Sequence, residues 1–156
     1  MYYSIASIQP LAQLQRQKGK KLVLATGFFD CLHSEHLRFL TKAKATGDLL
    51  FVAVESDARA LALKGEGRPI ETQRVRCRHL LPYADYLIAL PDGFNNFVAY
   101  ESLIAAIRPD VYAVSSHTTH QKNKLFLTEK YGGKLVIVHE FNPAISTTKL
   151  IGQNQV

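Results

Sequence analysis

Five short apolar runs punctuate the chain: Leu22-Val23-Leu24-Ala25, Leu49-Leu50-Phe51-Val52-Ala53-Val54, Tyr86-Leu87-Ile88-Ala89-Leu90, Val111-Tyr112-Ala113-Val114 and Leu135-Val136-Ile137-Val138. Each is continuous rather than alternating and rich in branched side chains, as strands buried on both faces of a parallel sheet are. Between them, apolar residues recur at helical spacing. The pattern predicts strands over 21–26, 49–54, 86–90, 111–114 and 135–138. It predicts helices over 34–46, 57–63, 71–81, from an Asn95 or Asn96 cap to 107, over 122–131, and over 147–151 behind a Ser146 cap. A packing helix precedes the first strand, with Ser7 as its cap, Pro10 in its opening turn and Gly19 at its end. Strands alternating with helices imply an α/β protein: five parallel strands covered by helices on both faces, in three layers, joined by right-handed crossovers.

Length and composition narrow the class. At 156 residues the chain reads as a single domain over 1–156, with residues 1–20 as the packing helix. No apolar run approaches the ~20 residues of a membrane span. The N-terminus lacks the order of charge, apolar core and small residues of a signal peptide. Cys31 and Cys77 form no spaced framework, so the expectation is a reducing cytoplasm. The net charge of +6 fits nucleic acid or anionic small molecules. The basic residues are scattered, and the one cluster, Arg74, Arg76 and Arg78, would spread round a helix rather than line a face. Anionic metabolites are the better match, with no nucleic-acid or membrane partner.

The chemistry concentrates at 23–36. There a buried strand turns at Thr26-Gly27, passes Phe28, Phe29 and Asp30, and reaches His33 and His36 at the start of a helix. In an open α/β sheet ligands bind at such strand ends, and a helix N-terminus suits phosphate. Two histidines three apart are also metal-ligand spacing, but His79, His117, His120 and His139 lie on other elements, and no third ligand is evident. A hydrogen-bonded structural pair is the plain alternative. Glu55-Ser56-Asp57 falls on the same rim. The loop Lys64-Gly65-Glu66-Gly67-Arg68-Pro69 has two cations and no large apolar residue, and reads as exposed.

Gly27-Phe28-Phe29-Asp30-Cys31-Leu32-His33-Ser34-Glu35-His36 resembles the G-x-F-D-x-L-H-x-G-H signature of the cytidylyltransferase-like nucleotidyltransferases. Further likenesses follow in order: Ala43 to Asp48 (A-K-x-x-G-D), Val54 to Asp57 (V-x-[ST]-D), Gln73-Arg74 with Tyr83-Ala84-Asp85, and Ile145 to Ile151 (I-S-T-T-x-x-I). Lys64 to Pro69 is similar to the K-G-x-x-R-P of the heptose-1-phosphate adenylyltransferases. The resemblance implies a Rossmann-like fold. It also implies transfer of a nucleoside monophosphate from ATP or CTP to a small phosphorylated acceptor, with pyrophosphate leaving and no covalent enzyme intermediate.

By that resemblance His33 and His36 hold phosphates, His36 acting on the transition state, and Lys44 neutralises the triphosphate. Thr26, Gly27, Phe28, Phe29, Arg74, Ser146, Thr147 and Thr148 face the nucleotide, and Asp30, Asp57, Lys64, Arg68 and Asp85 the acceptor. Mg²⁺ comes with the phosphates rather than in a protein cage, and the assembly is a homodimer. Each acceptor-side residue also has a plain role: Asp57 as a cap, Lys64 and Arg68 as a solvated loop, Asp85 as a strand start.

Three departures stand out. Glu35 replaces the motif glycine, and a carboxylate in the first helical turn would repel a triphosphate. It points away, acts through Mg²⁺, or marks a nucleotide-binding or regulatory protein that has lost catalysis. On repulsion alone, glycine at this position is expected to strengthen triphosphate binding. Ser115 to His120 replaces the family's Gly-Asp segment. Pro82 and Phe141 to Ser146 lack the arginines of the glycerol-phosphate branch, which points away from glycerol phosphate and toward the sugar-phosphate branch or an unassigned one.

Overall fold

The computed structural model describes residues 1–140 and 144–153; Phe141, Asn142 and Pro143 of the third departure lie outside them. Five strands, β1 (Leu22–Gly27), β2 (Leu49–Val54), β3 (Tyr86–Ala89), β4 (Val111–Ser115) and β5 (Lys134–His139), form one parallel sheet in the order β3-β2-β1-β4-β5. Seven helices complete the described chain: α1 (Ile5–Gln17), α2 (Ser34–Lys44), α3 (Asp57–Lys64), α4 (Gln73–Leu80), α5 (Phe97–Ile107), α6 (Gln121–Lys130) and α7 (Thr147–Gln153).

Successive strand side chains point to opposite faces, and both faces are apolar. Leu22 and Leu24 of β1 join Phe51, Tyr112 and the inner sides of α1, α5 and α6, through Ile8, Leu103, Ile107 and Leu127. Val23 and Ala25 join Val52, Ala113 and the inner sides of α2 and α4, through Leu40, Ala43, Cys77 and Leu80. This is the expected three-layer Rossmann-like architecture. Strand order runs outward in both directions from the β1–β4 junction, and the crevice above such a reversal is where these folds bind ligands.

Two helix starts differ from the sequence expectation by more than one residue. Ser4, not Ser7, caps α1. The Ser7 N–H donates to Ser4 Oγ at 3.1 Å, and the Ser4 N–H donates to Ser7 Oγ at 2.8 Å. Ser7 is thus the reciprocal partner in a capping box, and Pro10 falls beyond the opening turn. α4 begins at Gln73 behind a Thr72 cap rather than at 71, because the Glu71 N–H is bound by the Asp30 carboxylate at 3.0 Å.

Gly133 admits no side chain: a Cβ there would lie 2.1 Å from the Pro109 carbonyl oxygen, at the entry to β5. Gly133→Ala should therefore lower stability by about 2 kcal/mol, as overpacking of a fixed backbone does, measured as a drop in the urea midpoint at unchanged m-value.

Candidate active site

A cleft of about 280 Å³ opens at the carboxyl ends of β1 and β4. Its floor is Thr26, Gly27 and the turn that follows, where Phe29 (φ 54°) and Cys31 (φ 49°) take left-handed conformations unusual for side-chain-bearing residues. Asp30 between them explains why the turn persists. Its buried carboxylate accepts the N–H groups of Ile70 (2.9 Å) and Glu71 (3.0 Å) and the Arg68 Nε–H (3.1 Å). Its carbonyl accepts the Thr147 hydroxyl at 2.5 Å, and Arg68 Nη1 donates to Thr148 Oγ1 at 3.0 Å. Burial alone would raise the Asp30 pKa, but these donors outweigh it and hold the carboxyl below its ordinary value. The β1–α2 turn, the loop before α4 and the start of α7 are thereby tied together at one residue, through its carboxylate and its carbonyl. Ser146 caps α7, accepting the Lys149 N–H at 3.1 Å.

His33 and His36 stack at the start of α2, ring centroids 3.7 Å apart and planes 16° apart, with Phe29 edge-on to His36. Burial, then the neighbouring charges of His33 and Lys64, push the His36 pKa down to about 3. Burial lowers His33 as well, against the pull of Glu35. Both rings are therefore neutral near pH 7. The His33 N–H points to His36 Nδ1 at 3.4 Å, which leaves the His36 ring proton on Nε2 as a donor. Lys64 lies on the cleft wall, its ammonium 4.9 Å from the Phe28 ring centroid.

Glu35 also lines the cleft, yet both of its oxygens are engaged. Oε1 accepts from Arg38 at 2.9 Å, and Oε2 from His139 Nε2 at 2.5 Å. Lys42 donates to His139 Nδ1 at 3.3 Å, which keeps the His139 proton on Nε2. The His139 hydrogen bond, first, and the Arg38 charge hold the Glu35 carboxyl below its ordinary value against desolvation. The carboxylate thus fastens the first turn of α2 to the end of β5, across 104 positions of sequence. Repulsion of a triphosphate, the expectation from sequence, is blunted by the Arg38 ion pair.

Of the residues singled out by sequence, the cleft collects Thr26, Gly27, Phe28, Phe29, His33, His36, Lys64, Ser146, Thr147 and Thr148. Asp30 and Arg68 support it from behind; Arg68 is a clamp with a side chain only 8% exposed, not a solvated loop residue. Four others are not brought to it. α2 runs back antiparallel to β1, so Lys44, eight residues and about 12 Å of helix beyond His36, reaches the opposite rim. There it pairs with Asp85, whose carboxylate also accepts the Leu50 N–H at 2.7 Å. Asp57 holds α4, accepting from Gln73 N–H and Arg76 Nη2, both at 2.7 Å.

Arg74 is exposed, and the buried member of its cluster is Arg76. Arg76 donates to the carbonyls of Phe28 (2.6 Å) and Glu71 (3.0 Å). The spread of the three arginines round the helix, expected from their alternation, does not say which of them faces inward. Sequence reasoning also missed His139, because nothing local signals its pairing with Glu35.

A family model described as cytidylyltransferase-like matches residues 24–153, spanning the His33–His36 turn and α7 alike. The chain belongs to the cytidylyltransferase-like family. Its curated relatives in this family include the bifunctional protein HldE of Wolinella succinogenes, 46% identical over 107 residues (67% of this chain, 22% of the relative). The bifunctional protein HldE of Pelobacter propionicus is 35% identical over 144 residues (90% of this chain, 28% of the relative). This chain therefore spans less than a third of either. Among solved structures, a lipopolysaccharide core biosynthesis protein from Thermoplasma volcanium superposes with a TM-score of 0.61 at 25% identity, covering 80% of this chain and 98% of that one. Pantothenate synthetase from Thermus thermophilus, at 12% identity, TM-score 0.62 and coverage of 96% and 67%, shares the fold alone.

Two outcomes follow from this geometry. His36 is depressed from 6.5 to about 3. The unfolded chain therefore takes up a proton below pH 6.5 that the folded ring refuses until about pH 3, and stability falls as pH drops through that interval. His36→Asn should flatten this part of the profile, measured by urea unfolding between pH 4.5 and 7. Glu35→Gly should lower the melting temperature by untying His139 from α2, with no gain in triphosphate affinity; a gain of about tenfold or more by calorimetry would show that the carboxylate repels the nucleotide after all.

Proposed function

We propose that this protein transfers a nucleoside monophosphate from a nucleoside triphosphate to a small phosphorylated sugar, releasing pyrophosphate. One observation supports this above all: two stacked, neutral histidines at the N-terminus of α2, one with its Nε2 proton uncommitted, facing a cleft closed by Ser146, Thr147 and Thr148. An oxygen of the acceptor phosphate attacks the α-phosphorus, a new P–O bond forms, and the bond to the β-phosphate bridge breaks with its electron pair leaving on pyrophosphate. Negative charge grows on the α-phosphate oxygens, where neutral imidazole donors and the Lys64 ammonium stabilise it without a covalent intermediate.

The likeness to HldE proteins, together with the K-G-x-x-R-P segment, supports ATP as donor and a heptose 1-phosphate as acceptor. Mg²⁺ would enter on the triphosphate, neutralising the leaving group. The described residues include no cluster of three or more His, Cys, Asp or Glu that could cage it, and the Glu35 oxygens are already taken. The alternative of a binding protein without catalysis rests on Glu35 and on the altered segment Ser115 to His120; the pairing of Glu35 with Arg38 and His139 weakens the first ground.

Incubation with ATP, Mg²⁺ and heptose 1-phosphate should release pyrophosphate. His36→Ala should cost on the order of 10³-fold in turnover with the circular dichroism spectrum intact, whereas Lys44→Ala should keep most of it. No pyrophosphate with any sugar phosphate, or full activity in His36→Ala, would contradict the proposal.

A further inference from the structure

A buried lysine lies behind the wall of the cleft. Lys124, in the first turn of α6, is 7% exposed, and its ammonium donates to Thr118 Oγ1 at 2.8 Å. Thr118 stands in the turn after β4, where its N–H donates to the Ser115 carbonyl at 3.2 Å, and it lines the cleft. The contact therefore joins a buried cation to a surface that a ligand would meet. It falls within Ser115 to His120, the stretch that departs from the family's Gly-Asp pattern.

Stability alone does not account for a charge at this place. Burial disfavours the ammonium and pushes Lys124 down to about 8, so that it still carries its proton at pH 7. The positive end of the α6 dipole also disfavours a cation there. An apolar side chain of similar length would fill the same space at less cost. The surroundings nonetheless hold the charge. Glu55, 5% exposed, attracts it, and the Tyr100 and Tyr112 ring centroids each lie 5.8 Å from Nζ. Tyr100 in turn donates to Glu55 Oε1 at 3.0 Å. Glu55 is not part of the cleft wall, so a ligand there meets the Thr118 hydroxyl and not the carboxylate.

An ammonium has hydrogens to give and no lone pair, so Thr118 Oγ1 is the acceptor in this contact. The hydroxyl hydrogen is left to be donated elsewhere. A hydroxyl polarised by a cation is a strong donor, and an anionic oxygen is its best match. The same cleft holds Lys64 and the start of α2, both suited to phosphate. We propose that Thr118 binds a phosphate oxygen of a substrate in the cleft, and that Lys124 is the positioning residue that turns the Thr118 hydroxyl toward it. The assignment rests on the transfer reading for its ligands and adds two residues to it.

The test titrates the intact protein, Thr118→Val, Thr118→Ser, Lys124→Met and the variant carrying both Thr118→Val and Lys124→Met, by calorimetry, with α,β-methylene-ATP, heptose 1-phosphate and adenosine in separate runs. Thr118→Val should raise the Kd of one phosphorylated ligand about tenfold, the loss of one hydrogen bond to a charged group, and leave the other within about twofold. The ligand that weakens identifies the phosphate that Thr118 holds. Thr118→Ser, which keeps the hydroxyl, should stay near the intact value, and adenosine should behave alike with every form. Lys124→Met should weaken the same ligand about threefold or more, yet add nothing in the Thr118→Val background; a lysine that only packs would act equally in both. Should Lys124→Met fail to fold, as read by circular dichroism, the two Thr118 variants decide alone. Unchanged Kd values for both phosphorylated ligands, equal losses for both, or a matching loss for adenosine would overturn the assignment and leave the transfer reading standing. So would a Lys124→Met effect that is absent, or undiminished beside Thr118→Val. If the intact protein releases no pyrophosphate, the transfer reading falls. The titrations still decide Thr118: binding of a phosphorylated ligand that Thr118→Val weakens supports it, and absent or unaltered binding overturns it.

Discussion

The buried carboxylate of Asp30 is the point on which the site depends. Two left-handed residues flank it, a conformation the chain would not hold unaided. Three donors from the segment 68–71 hold it, and its own carbonyl holds Thr147. One residue, through its carboxylate and its carbonyl, therefore joins three stretches that are far apart in sequence and brings α7 over the end of β1. Neutralising such a carboxylate would strand its donors in a dry environment, which costs several kcal/mol. The same contacts reassign two residues: Arg68 is a clamp, and Glu71 is withdrawn from α4 because its N–H belongs to Asp30.

Electrostatic balance around the cleft is set by pairing rather than by net charge. The +6 of the chain is mostly dispersed. At the cleft, burial keeps His33 and His36 neutral, helped at His36 by the nearness of His33 and Lys64. Glu35 is paired with the Arg38 guanidinium and accepts a hydrogen bond from His139. Neutral donors at a helix N-terminus can accept a growing negative charge without first being stripped of a counter-ion. Glu35, at the position where the motif has glycine, ties α2 to β5, a contact glycine cannot make.

Much of this was legible in the sequence, for identifiable reasons. β2 is apolar at all six positions because both faces of the sheet are covered, so its bounds match the predicted 49–54. Caps such as Asn96 and Ser146 are local chemistry and were readable as such. The stretch 26–36 carries its strand, turn and helix start within a few residues. What failed required direction or distance. Lys44 shares a helix with His36, but a helix that crosses the whole sheet delivers its two ends to opposite rims. Asp85 immediately precedes β3 and so lies at the amino end of the strands, away from any switch-point crevice. Arg74 and Arg76 are chemically alike, and only packing decides which faces inward. His139 meets Glu35 through sheet order alone, and the pairing of Glu55 with Tyr100 likewise spans 45 positions.

The proposed transfer has the acceptor phosphate attack the α-phosphorus, a reading supported by membership of the cytidylyltransferase-like family and by the geometry of the His33–His36 turn. That claim is tested most directly by supplying heptose 1-phosphate labelled with ¹⁸O in its phosphate oxygens, together with ATP and Mg²⁺, and reading the products by ³¹P NMR. In-line attack by the acceptor phosphate predicts ¹⁸O in the oxygen bridging to the former α-phosphorus and none in the pyrophosphate. Label in released pyrophosphate or orthophosphate, or a bridge without label, would contradict the account.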